Sequence, residues 1–162
     1  MRKQLCLLSC FLFSCLSLFA GPLEKGFEAL KVFNYFDAKE YFEKGLKNRP
    51  AGACYGLSVI FHRNDNPFTN IDSAYKYILL AEKNFSSSEP KEKESLIKLE
   101  IDASAIDRVK ETILAQAFER ARKENTIEAY DLFIKEFPHP EMKKEAIRMR
   151  NRLAFESAKK TN

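Results

Sequence analysis

Nine residues recur near the end of this chain at a fixed distance from their first appearance, and no other feature restricts the fold as much. Ala117-Phe118-Glu119-Arg120-Ala121-Arg122-Lys123-Glu124-Asn125 returns as Ala154-Phe155-Glu156-Ser157-Ala158-Lys159-Lys160-Thr161-Asn162, identical at six of nine positions and offset by 37 residues. Helical hairpins laid side by side leave a period of this size, because each is too small to bury its apolar face alone. The second copy opens a unit that the 162 residues do not complete. Two expectations follow: a module at the front of a longer protein, or a domain that ends on an unpaired helix.

Fourteen Phe stand against five Gly, a balance that suits packed helices better than a sandwich of strands with its many tight turns. A chain of this length has room for one domain or for three to four helical hairpins. Lys and Arg number 27 against 23 acidic residues, and without Arg2 and Lys3 the balance is 25 to 23. Charges so evenly mixed describe a solvated surface and not a nucleic-acid patch.

The first twenty residues read as an export signal. Arg2 and Lys3 precede an apolar run from Leu5 to Phe19, shorter than the ~20 residues that span a bilayer. Cleavage is expected after Ala20. A second route uses Leu12-Phe13-Ser14-Cys15, which is similar to a lipobox and would place a lipid on Cys15. By either route Cys54 has no thiol left to pair with, so packing alone must hold the exported domain, with Cys54 as a small buried apolar residue.

Beyond the leader, Pro22, Pro50, Pro67, Pro90, Pro138 and Pro140 fall between apolar periods, as at helix starts or just past helix ends. Phe27, Leu30 and Phe33 step by three, and Ala38, Phe42 and Leu46 by four. Helices are expected over Ala51 to Phe61, Asp72 to Asn84 and Lys91 to Leu99, with Ser86 to Pro90 as a flexible joint. Ile106, Val109, Ile113, Ala117 and Ala121 form the longest stripe, capped by Asp102. Asn125 and Glu128 are spaced like a capping box. Met142, Ala146, Met149 and Leu153 line a last helix opened by Pro140. No strand is expected, and the fold class is all-α.

Ala38, Phe42, Gly45 and Pro50 follow a pattern of small, bulky, small and Pro at steps of four, three and five. Ala74, Ile78 and Ala81 repeat its first three members, and Ala129 and Phe133 its first two. Leu57, Ser58 and Phe61 fit the preceding helix of such a pair. In these residues the chain resembles the tetratricopeptide repeat (TPR) family. Small residues let two backbones approach at each helix crossing, and the bulky one fills the neighbouring groove. The resemblance covers residues 22–84, departs over a linker and helix at 85–101, and resumes over 102–162, where the last repeat is incomplete. The stretch from Ala129 to Pro138 is also similar to a helix of envelope proteins of this family.

The resemblance implies antiparallel hairpins stacked as an α-α superhelix. It implies an exported, non-enzymatic scaffold that binds a protein or peptide partner in the periplasm, or at the outer membrane if Cys15 is lipidated. By the family's register Tyr55, His62 and Glu111 would contact that partner. The alternative is a helical module of a larger envelope protein whose catalytic or wall-binding part lies elsewhere. The residues themselves offer no catalytic constellation, cofactor motif or metal site. His62 and His139 are the only histidines and lack ligands at metal-binding spacing. Cys54 and His62 sit two turns apart on one helix, ~12 Å, too far to act as nucleophile and base. Tyr75 and Tyr77 would lie on different helix faces, one of them reaching the surface.

Overall fold

The computed structural model describes residues 21–161. The export signal, its cleavage after Ala20 and the lipidation of Cys15 fall on residues 1–20, outside those described. Eight helices and no strand occur among the described residues: α1 (Pro22–Lys31), α2 (Tyr35–Gly45), α3 (Pro50–His62), α4 (Ile71–Ser87), α5 (Pro90–Ile97), α6 (Ala103–Glu124), α7 (Ile127–Glu136) and α8 (Pro140–Thr161). The chain is all-α. None of these helices is long and apolar enough to cross a membrane.

Local chemistry places the boundaries. Pro22, Pro50, Pro90 and Pro140 each open a helix, where the missing N–H costs no hydrogen bond. The other starts are capped: side-chain oxygens of Asn34, Asn70, Asp102 and Thr126 accept from the N–H three residues on, at 3.3, 2.8, 2.7 and 3.1 Å. Two boundaries differ from the sequence expectation. Asn125 is not the N-cap of α7 but the C-cap of α6, in a left-handed conformation (φ 49°), which Asn tolerates; its neighbour Thr126 opens α7. The joint at Ser86 to Pro90 shrinks to Ser88-Glu89, because the Ser86 and Ser87 hydroxyls donate to the Glu82 and Lys83 carbonyls and follow the helix.

Each long helix packs on the next. α1 lies on α2, α2 on α3, α3 on α4, α4 on α6, α6 on α7 and α7 on α8. On α4 and α6 the ion pairs Glu82–Lys110 (2.7 Å) and Asp72–Arg120 (2.8 Å) run in opposite chain order, so these two helices are antiparallel. The sequence offset of 37 residues is an offset of whole helices: α6 and α8 are each 22 residues long and begin at 103 and 140.

Two clusters share α6. The first gathers Leu23, Phe42, Leu57, Ile78, Leu96 and Ile113, and the second gathers Leu114, Ala117, Tyr130, Phe133 and Ala146. Ala38 and Ala74 are fully buried and Ala117 nearly so, as small residues at helix crossings require. Around Phe42 the approach is closest. A Cβ on Gly26 of α1 would lie 2.6 Å from its ring, and one on Gly56 of α3 would lie 2.5 Å from both Cε atoms. One ring thus fills the space among three helices.

Phe33 departs from the core stripe expected with Phe27 and Leu30. α1 ends at Lys31, and Phe33 stands beyond it in a left-handed conformation (φ 59°), 62% exposed. Tyr75 and Tyr77 are both half-buried. Tyr77 stacks on Phe61 at 5.6 Å, and Tyr75 lies 5.0 Å from Phe137. Each is therefore only partly exposed, with an aromatic neighbour outside its own helix.

Candidate binding cleft

A cleft of about 590 Å³ opens across α1, α3 and the start of α6. Its apolar wall comes from Phe27 and Leu30 of α1, Tyr55 and Val59 of α3, and Leu99 after α5. Phe27 and Tyr55 stand 6.4 Å apart, ring to ring. Burial pushes the Tyr55 hydroxyl above its ordinary pKa, partly opposed by the nearby Arg108 guanidinium, so Tyr55 remains a neutral donor. The rest of the wall is charged, and the charges are unequally committed. Glu24 is held by Arg49, and Glu28 lies 2.8 Å from Lys31. Arg63, Lys98 and Arg108 line the cleft without a carboxylate in ion-pair range among the described residues. One acid, Glu100, faces them. Positive charge therefore predominates among the groups left for a ligand.

Arg63 is held in place. Its guanidinium lies over the rings of Phe33 and Tyr35, at 5.7 and 5.9 Å, and donates to the Tyr35 hydroxyl at 3.2 Å. Tyr35 in turn donates to Asp65 at 2.8 Å, which holds that carboxyl below its usual range. Cation–π contact and hydrogen bonding fix the Arg63 side chain before any partner arrives.

Among the described residues, two of the three left-handed non-glycine positions border this cleft: Glu100 (φ 61°) lines it, and Phe33 supports Arg63 at its edge. Both close helices. Asn34 N–H bonds the Ala29 carbonyl (2.9 Å) after α1, and Ile101 N–H bonds the Leu96 carbonyl (3.0 Å) after α5. Glycine is the usual residue at such a position, and a side chain there costs of order 1–2 kcal/mol. Strain of this kind concentrates at functional sites.

Of the residues expected at a partner surface, Tyr55 lines the cleft, whereas His62 and Glu111 do not. His62 ends α3 half-buried with Nδ1 unpartnered. Burial, and then the Arg63 charge, lower its pKa. Glu111 lies 3.4 Å from His139 Nε2. Sequence reasoning missed Arg63, Lys98, Arg108 and Phe33. Arg63 beside His62 at a helix end was visible, but the turn that folds Phe33 under its guanidinium is a tertiary feature.

Cys54 is 3% exposed, and burial pushes its thiol up to about 11. The unfolded chain loses this proton nearer the ordinary value of 9.0. Stability from the neutral thiol is therefore complete below pH 9 and is lost as pH rises towards 11. Burial raises Tyr35, Tyr55 and Tyr75 in the same direction. The unfolding free energy from urea titration is expected to fall between pH 8.5 and 10.5, and Cys54→Ala should reduce that fall by roughly 1 kcal/mol. An identical pH profile in the variant would show that the thiol does not titrate with folding.

Among the described residues no three or more His, Cys, Asp and Glu side chains gather as metal ligands do. No protein-family model matches this chain, and no curated protein or solved structure is recognisably similar to it.

Proposed function

We propose that the chain is an exported, non-enzymatic scaffold of the bacterial cell envelope that holds a partner protein's segment in the cleft between α1, α3 and α6. The fold in this reading is a TPR-like superhelix, in which α1 with α2, α3 with α4 and α6 with α7 are stacked hairpins. Serial packing of the long helices and the offset of 37 residues between α6 and α8 support it. The compartment is the periplasm, with an outer-membrane anchor if Cys15 carries a lipid. The observation that carries the binding role is the cleft itself, where Phe27 and Tyr55 lie beside Arg63, Lys98 and Arg108, cations with no carboxylate in ion-pair range among the described residues. Such a surface fits a segment with apolar side chains and at least one carboxylate.

A photo-crosslinking residue at Val59, inside the cleft, should trap one discrete envelope protein in living cells. The same residue at Leu132 of α7 should not trap it. Tyr55→Ala should reduce the Val59 adduct at least fivefold without changing the melting temperature by more than ~2 °C. Glu100→Gly should raise stability by about 0.5–1 kcal/mol through release of left-handed strain, and should strengthen the adduct by removing the acid that faces the three cations. Equal adducts from both positions, or a Val59 adduct indifferent to Tyr55, would remove the cleft from consideration.

A further inference from the structure

The turn after α3 is built around Arg63, through its backbone as well as its side chain. The Arg63 carbonyl accepts from Asn66 Nδ2 at 3.1 Å and from the Thr69 hydroxyl at 2.5 Å. Asn66 also donates to the Ile60 carbonyl and accepts from the Phe68 N–H, which ties residues 63–69 to the end of the helix. The guanidinium lies over two rings, Phe33 and Tyr35, that meet at 64°. Its hydrogen bond to Tyr35 uses Nη1. The Tyr35 hydroxyl has one proton, which goes to Asp65, so its oxygen is left to accept from Arg63. Nε and Nη2 of Arg63 have no acceptor among the described residues. Those two nitrogens share one edge of the guanidinium and offer parallel N–H groups, the geometry that grips both oxygens of a carboxylate. The other two cations of the cleft are less constrained. Lys98 and Arg108 are exposed, and Arg108 donates from Nη1 to Ser104.

We infer that Arg63 is the residue by which the cleft selects its ligand, a carboxylate carried beside an apolar side chain, and that Tyr35, Asp65 and Phe33 position it. The inference rests on the cleft being a binding site, and adds which cation decides and what holds it. Phe27 and Tyr55 take the apolar group, and the free edge of Arg63 takes both carboxylate oxygens. A guanidinium already held loses little freedom on binding, whereas an exposed lysine must first be ordered along its whole stem. Phe33 stands at φ 59° and is 62% exposed, in a place where glycine is the usual residue, yet its ring is one of the two under Arg63. An amide of the same shape brings an N–H group against one of the two donors, so this edge discriminates acid from amide.

The test uses N-acetyl-phenylalanine and its amide as probes, each titrated into the full chain and followed by NMR. The acid should bind with an apparent Kd of about 1–10 mM, and the amide about tenfold more weakly. The Arg63 Nε–Hε signal should shift with the acid only. Tyr35→Phe keeps the ring and removes the hydroxyl; it should reduce the preference for the acid to about threefold and leave the amide Kd unchanged. Arg63→Lys should do the same, since an ammonium has no planar edge. Phe33→Gly should lower the preference while the melting temperature holds or rises, because glycine relieves the left-handed turn. A merely structural role for Tyr35 would weaken acid and amide alike, or neither, and would overturn the inference. Equal behaviour of the two probes with the unsubstituted chain, including no binding of either, would overturn it as well, as would a preference indifferent to Arg63→Lys. The crosslink at Val59 reads the partner separately. Its loss beside an intact acid preference would refute the partner protein alone, and its persistence without that preference would refute the Arg63 assignment alone.

Discussion

Phe42→Ala is expected to remove about 3–5 kcal/mol of stability, a large share of the 5–15 kcal/mol typical of a domain. The ring is fully buried and belongs to α2, yet it fills the space where side chains on Gly26 of α1 and Gly56 of α3 would stand. Its loss leaves a cavity that three helices must close at once, and helices of ten to thirteen residues cannot shift independently. Chemical unfolding followed by circular dichroism gives the number directly. The converse variant, Gly56→Ala, should cost about 1–3 kcal/mol by overpacking. The pair Phe42→Leu with Gly56→Ala should cost less than the sum of its parts, because the smaller side chain vacates the space the new methyl enters. Strict additivity, or a cost below ~1 kcal/mol for Phe42→Ala, would show that the ring does not join the three helices.

Arg49→Ala is expected to cost about 2 kcal/mol globally and to release α5 locally. Arg49 precedes α3 and reaches two other elements. It pairs with Glu24 of α1, donates from Nε to Glu92 of α5 at 3.0 Å, and from Nη2 to Ser95 Oγ at 2.8 Å. Charged hydrogen bonds contribute about 1.5–3 kcal/mol each when sheltered. The loss falls below their sum because the three ionic side chains keep 22–33% exposure and solvent screens them. Besides Arg49, α5 is held by Leu96, buried beside Leu23 where a Gly52 side chain would stand, and by Lys93, which donates to the Ser86 carbonyl of α4 at 3.0 Å. Hydrogen exchange should therefore show α5 opening well before the rest of the domain in Arg49→Ala. Arg49→Lys should recover less than half of the loss, since one ammonium cannot present the guanidinium's fork to acceptors on two helices. Unchanged α5 protection would mean that Leu96 and Ile101 hold it without the ionic link.

Much of the fold was legible in short stretches of sequence. Asp102 as a cap, Pro140 as a helix opening, Cys54 as a buried apolar residue and the burial of Ala38, Ala74 and Ala117 all appear as expected. The misread places share one cause. Phe33 matched the period of Phe27 and Leu30, but the helix had ended two residues earlier, and periodicity carries no stop signal when a bulky residue occupies the place usually taken by glycine. Asn125 and Thr126 can each cap a helix, and the left-handed turn that assigns the role to Thr126 follows from how α7 folds back on α6. In the cleft, Tyr55 was singled out by register. Arg63, Lys98 and Arg108 were not, because ordinary basic residues in a mixed-charge chain become a site only when three separate elements bring them together.

The chain by itself determined which residues are helical, because caps, prolines and apolar spacing act within a few residues of one another. The offset of 37 residues belongs to that level too, since equal helices follow from similar local sequence. Which faces are covered was decided only by the tertiary arrangement. Ala117 is buried and Phe118 partly buried, whereas the same pair at Ala154 and Phe155 is exposed, because burial depends on the helix that comes to lie against a surface and not on the surface alone.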